Sequence, residues 1–219
     1  MTNAQLIDLL SKAFIDTLWI VGGSSMFGIL GGLPLGIVLV LTQKDGLYPK
    51  PVLHTVLNRI VNLFRSIPFY ILVVALMPLS RFVVGTSIGI KATIFALSVG
   101  AIPFVARLSE NILSEVDQDV LDAVITMGAS PKNVVGMLFK ESLPSLINGL
   151  SVTVIMLIGY SAMAGLLGGG GLGDIAIRYG YYRFNYTVLY CALFILILLV
   201  ELIQTLSHWL VKRLDHKAR

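Results

Sequence analysis

Few residues of this chain could do chemistry, and most of them lie in or beside long apolar runs. Arg65, Lys91 and Glu201 are the lone charges of three such runs. A charge inside a bilayer is costly and marks function unless its side chain reaches the interface. Lys91 lies near a run end and is expected to snorkel. Glu201 is expected to pair with a neighbour near the inner face. Arg65 is likewise expected to snorkel, with binding of a substrate carboxylate beside Pro68 as the alternative reading. Tyr160, Ser161 and Met163 share a run without any charge. Their hydroxyls can bond an ammonium or a carboxylate, and the thioether can lie along an apolar side chain. Ordinary helix packing accounts for the same three residues equally well. No catalytic set is visible. The single cysteine, Cys191, lies mid-run, which excludes an internal disulfide and argues against a metal site. Gly168-x-Gly170-x-x-Gly173 matches a dinucleotide fingerprint by letter, but it follows an apolar run instead of a strand and lacks the acidic residue downstream. A hinge in an outer segment, using Gly169, Gly171 and Gly173, is the better reading. No Walker A phosphate loop occurs, so the chain does not hydrolyse ATP itself.

The elements that position these residues are membrane helices. Of the 219 residues, 56% are hydrophobic and 13% charged, against about 25% charged in soluble domains. Five runs are long enough to cross a bilayer: 18–41, 60–79, 88–106, 146–167 and 187–206. Each is near the roughly 20 residues a spanning helix needs. Spans of this composition must be helices, because hydrocarbon offers backbone groups no partner. The whole chain, 1–219, reads as one all-α integral membrane domain. Lys44, Lys50, Arg107, Lys132, Lys140, Lys212 and Arg213 fall in loops on one side, richer in base than the other. That side is expected to be cytoplasmic, with the N-terminus outside and the C-terminus inside. No basic soluble face offers a nucleic-acid footprint. Residues 1–16 read as a separate amphipathic helix at the outer surface, and no cleavable leader is recognised. Gly28, Gly32 and Gly36 form a small-residue stripe suited to close helix packing. Tyr179, Tyr181, Tyr182 and Tyr186 read as an interfacial aromatic belt, and Arg178 and Arg183 beside them could meet an external protein.

The long loop 107–143 carries its own structure. Asp119 is expected to cap a helix, reinforced by Asp122. The helix runs over Val120–Met127, and Gly128 supplies a left-handed stop. Ser130 caps again, and Pro131 opens a second short helix. Long loops with internal structure are usually functional, so this pair reads as a docking handle.

Asp122-Ala123-Val124 followed by Gly128 resembles the cytoplasmic EAA loop of ATP-binding-cassette importer permeases. Asp122 stands where that family has Glu. Glu141 stands where it commonly has proline, with Leu143-Pro144 following. Further blocks resemble the methionine-importer permeases: Asn62 to Phe69, Val84 to Gly89, Pro103 to Arg107, Gly159 to Gly165, and Gly169 to Gly173 with Tyr179-Gly180-Tyr181. This resemblance covers nearly the whole chain. It implies a type I importer permease in a bacterial plasma membrane, working as a homodimer. Two ATPase subunits, which carry the ATP and Mg, would dock on the inner loops through Asp119, Asp122, Ala123, Gly128, Ala129, Ser130 and Pro131. A methionine-binding lipoprotein would dock outside, and D- or L-methionine would be the cargo. A permease for glycine betaine or choline is the nearest alternative. An ion-coupled secondary transporter would be expected to show inverted repeats and paired intramembrane carboxylates, neither of which is visible.

Overall fold

The computed structural model describes residues 2–44, 46–165 and 168–214, and every regular element among these is a helix. The helices are α1 Asn3–Thr42, α2 Pro51–Ser66, α3 Phe69–Val84, α4 Ile90–Ser114, α5 Gln118–Thr126, α6 Pro131–Gly165, α7 Gly171–Ile175 and α8 Tyr186–Leu214. A π-helical turn, Ala176–Tyr181, joins α7 to α8. Four of these helices are long and apolar enough to cross a bilayer, and the bent pair α2–α3 makes a fifth. The last residues of the expected fourth span, Leu166 and Leu167, lie outside the described residues.

Three expectations are corrected here. The N-terminal amphipathic helix is not separate. It is the first part of α1, whose 40 residues run unbroken and extend about 60 Å at 1.5 Å per residue. Thr2 and Gln5 close a capping box at its start, and nothing in the sequence near Asp16 stops it. The expected second span is not straight. α2 and α3 meet at 106°, because Pro68 holds itself and Ile67 in extended backbone. The second helix of the docking pair is not short. α6 continues for 35 residues, with Pro144 inside it.

The core is built around α4, which packs against α1, α2, α3 and α6. The α1 glycine stripe makes the closest of these approaches. A methyl group on Gly28 would meet the Ala101 Cβ at 2.7 Å, and one on Gly32 would meet the Ile102 carbonyl at 2.6 Å. One on Gly36 would meet the Ala106 carbonyl and the Ser109 Cβ, both at 2.7 Å. The stripe therefore packs helix on helix, as its spacing implied. Ile20, Leu97, Ala101 and Leu157 fill the centre of the bundle where α1, α4 and α6 meet. Val40, Leu113, Leu138 and Leu146 close one end, and Ala13, Leu172, Ile175, Val188 and Ala192 close the other.

A part-buried polar clamp ties α2 to α4. Arg107 donates to Glu110 at 2.6 Å, to Asn62 at 2.8 Å and to Asn58. Glu201 has no ion-pair partner among the described residues. It lies exposed on α8 beside Leu198 and Leu202, so the expected pairing does not form among the described residues.

Candidate functional site

The helix α5 hangs from the bundle by few contacts. Its Leu121 packs against the cluster of Val40, Leu113, Leu138 and Leu146. Asp122, Ala123, Ile125 and Thr126 are all exposed, and Met127 just beyond them is 77% exposed. A nine-residue helix is too short to hold itself in water, so its two ends must be fixed. The start is fixed by Asp117, whose Oδ1 accepts from the Asp119 N–H at 2.9 Å. The cap is thus Asp117 and not Asp119, and Asp122 takes no part in it. Both aspartates precede the apolar run, and spacing alone does not distinguish them. The other end is a Schellman turn. Gly128 adopts φ 77°, the Gly128 N–H bonds the Ile125 carbonyl at 2.9 Å, and the Ala129 N–H bonds the Val124 carbonyl at 3.3 Å. Ser130 then accepts from Asn133 and Val134 through its carbonyl as α6 begins at Pro131. Asp119, Asp122, Ala123, Gly128, Ala129, Ser130 and Pro131 therefore form one continuous turn-and-helix surface. Glu115, Asp117, Asp119 and Asp122 make it acidic, and Val120, Ile125 and Met127 make it partly apolar.

The candidate pathway residues separate. Arg65 and Tyr160 line one cavity of about 220 Å³ at the α2–α3 break. Arg65 lies over the Phe104 ring at 5.3 Å. Tyr160 stacks on Phe69 with ring centres 4.2 Å apart and planes 8° apart. Met163, one turn further along α6, is exposed. Ser161 does not join them: it is buried, and its hydroxyl donates to the Ile158 carbonyl at 2.7 Å.

The glycine-rich segment is not a free hinge. Gly171 to Ile175 are all buried, and α7 packs against α1 and α6. Thr17 of α1 accepts the Leu172 N–H at 2.8 Å and so caps the start of α7 from across the chain. A methyl group on Gly169 would meet the Thr93 hydroxyl at 2.5 Å, and one on Gly173 would collide with the Ala162 backbone. Gly171 also holds φ 86°. Asp174 is buried and pairs with Arg178 at 2.5 Å. Burial pushes its carboxyl up from the usual range, and the Arg178 charge and hydrogen bond pull it partly back. Arg178 and Arg183 both lie over the Tyr179 ring, at 5.5 Å and 4.7 Å, beside exposed Tyr181, Tyr182, Phe184 and Tyr186.

Residues 32–219 match the family described as the binding-protein-dependent transport system inner membrane component. The chain belongs to this family. It is a permease of a bacterial inner membrane, and hydrolysis of ATP falls to a separate subunit. It is 44% identical to a probable D-methionine transport system permease protein, MetI, of Vibrio cholerae, over 96% of this chain and 94% of that one. It is 38% identical to the methionine import system permease protein MetP of Bacillus subtilis, over 98% and 97% of the two chains. Its fold matches that of the MetNI methionine ABC transporter in an inward-facing conformation, with TM-score 0.95 and 41% identity over 99% of this chain and 100% of that one. A likeness to an amino acid ABC transporter crystallised with histidines, TM-score 0.75 at 18% identity over 96% of each chain, extends to the fold alone.

Sequence reasoning missed two structural residues of this permease. Thr17 caps α7 through a contact 155 residues away in sequence, which no local pattern signals. Asn58 pairs with Arg107 across helices that the sequence does not show to be neighbours.

Proposed function

We propose that this permease translocates methionine through a pore formed by two copies of the chain, driven by two ATPase subunits docked on α5. The observation that carries the reading is α5 itself. It is a short helix with both ends locked, little packing beneath it and an acidic, partly apolar outer face. Such a helix moves as a unit when its partner moves. α4 leads into α5 through residues 115–117, and α6 leaves it through Gly128, so a displacement of α5 reaches the helices at the centre of the bundle. The docking surface comprises Asp119, Asp122, Ala123, Gly128, Ala129, Ser130 and Pro131. ATP and Mg sit on the partner subunits. The methionine cargo is supported by relatives that match across nearly the whole chain and carry methionine transport in their names.

The α5 side faces the cytoplasm in this reading, and the π-turn side faces outward. An external binding protein delivers methionine near Arg178 and Arg183, where aromatic and basic side chains are exposed together. Gly169, Gly171 and Gly173 seat α7 as the packed part of that outer end. Tyr160 and Met163 of α6 face the pathway. Ser161 serves α6 packing. Uptake of labelled methionine into proteoliposomes holding permease, ATPase and binding protein tests the proposal. ATP-dependent uptake that excess glycine betaine does not reduce is expected. Uptake of betaine in place of methionine would overturn the cargo.

A further inference from the structure

We propose that the cavity at the α2–α3 break is a carboxylate-binding site for a zwitterionic amino acid with an apolar side chain. The proposal rests on the import reading and deepens it. The break arises because Pro68 turns the chain through 106°. That turn opens about 220 Å³ between α2, α3, α4 and α6. The volume is below the range usual for drug-sized ligands. It suits a single amino acid and excludes a sugar chain or a peptide.

The walls set the chemistry. Arg65 has no carboxylate partner among the described residues. Its recorded contact is with the Phe104 ring, which steers a guanidinium without neutralising it. Arg107 differs, because it holds both a carboxylate and two amides. Arg65 lines this half-open cavity and is exposed within the single chain. An unpaired guanidinium in that position can take an anion, and its forked donors fit a carboxylate. Opposite it, Phe69 and Tyr160 stack into one aromatic slab. Gly100 forms part of the wall, and a methyl group there would meet Leu72 at 3.3 Å and Phe69 at 3.5 Å. Aromatic faces hold thioethers and aliphatic chains well. The Tyr160 hydroxyl has no partner among the described residues and is free to meet the ligand's ammonium. A quaternary amine without a carboxylate would instead meet the positive charge of Arg65.

The test uses the purified permease–ATPase complex without its binding protein, so that any binding belongs to the membrane subunits. The probe is labelled L-methionine, with 3-(methylthio)propylamine, which lacks the carboxylate, as competitor. Saturable binding that unlabelled methionine competes and the amine does not is expected. Arg65→Met is expected to weaken binding at least tenfold, and Arg65→Lys less, since it keeps the charge and loses the fork. The competition needs no variant, so a misfolded Arg65→Met complex does not blunt it. No saturable binding to the unaltered complex would overturn the site, as would equal competition by the amine or unchanged binding to Arg65→Met. If Arg65→Met instead lost a co-purifying anionic lipid while methionine binding stood unchanged, Arg65 would hold a headgroup phosphate, and the site would again be overturned. Uptake by the unaltered transporter in proteoliposomes reads the import reading separately. Uptake without binding sinks only the cavity site; no methionine uptake sinks the reading on which it rests.

Discussion

Single residues in this permease act mainly through backbone geometry, and Gly128 is the clearest case. Its φ of 77° is left-handed, yet a methyl group there would touch nothing within 4 Å. The cost of substitution is therefore conformational and not steric. A β-branched residue would lose about 1–2 kcal/mol in that region. Gly128→Val is expected to leave the protein in the membrane but cut ATP-driven uptake several-fold, with Gly128→Asn milder because Asn tolerates this conformation. Immunoblots of membranes alongside uptake assays check both. Equal uptake by Gly128→Val would remove the turn from the coupling path. This residue was legible in the sequence because a glycine directly after an amphipathic run has one common use. The cap was not legible, since Asp117 and Asp119 offer the same acceptor two positions apart. Asp174 makes a second prediction. Its buried carboxyl titrates above the usual value of about 3.9. A raised pKa means the protonated form is the favoured one in the fold, so its stabilisation is full below the ordinary value and fades as pH rises through the raised one. The thermal midpoint of the unaltered protein in detergent is thus expected to fall relative to Asp174→Asn as pH climbs from about 4 to 7. A constant gap would mean that Arg178 offsets the burial completely.

At the scale of elements, the sequence discloses lengths and faces better than joints. The glycine stripe of α1 gave its face directly, because three small residues at four-residue spacing have little other use. The break at Pro68 was hidden inside a continuous apolar run, and hydropathy does not register direction. The π turn and α7 were hidden for the opposite reason: glycines that look like freedom in a sequence are here demanded by close contact. The joint between α2 and α4 depends on one clamp. Arg107 and Glu110 are both largely buried, and Asn58 and Asn62 on α2 take the remaining donors. Arg107→Met would leave the Glu110 charge unpaired, a change that costs about 3–5 kcal/mol for a buried pair. Arg107→Met combined with Glu110→Gln is expected to recover much of that loss, since it removes the stranded charge. The thermal midpoints of the two single variants, the double variant and the parent separate these terms. If Arg107→Met and the double variant lost equal stability while Glu110→Gln lost little, the amide bonds to α2 and not the ion pair would be the main tie.

For the whole molecule, the surface reports the surroundings. α8 exposes Leu193, Phe194, Ile197, Leu198 and Leu202, and α1 exposes Trp19, Phe27 and Leu30. Apolar area of that extent needs lipid or another subunit over it. At about 60 Å, α1 is twice the roughly 30 Å hydrocarbon thickness, so both of its ends leave the hydrocarbon or tilt strongly within it. The acidic face of α5 is followed in the chain by the basic residues Lys132 and Lys140, outside any apolar run. A charged, half-apolar surface of this kind belongs in water against a protein partner, on the side richer in Lys and Arg. Met127 reports this directly, because it is the most exposed apolar residue at the end of α5. With Cys191 replaced by Ser, a Met127→Cys variant carries one thiol on the docking face. A membrane-impermeant maleimide is expected to label it in inside-out vesicles and to leave right-side-out vesicles unlabelled. Adding the ATPase subunits is expected to slow the labelling at least several-fold, because the thiol would be covered. Labelling in right-side-out vesicles would reverse the orientation. Labelling that ignores the ATPase would leave α5 without its partner, and the path from α5 to the helices around α4 would then carry nothing.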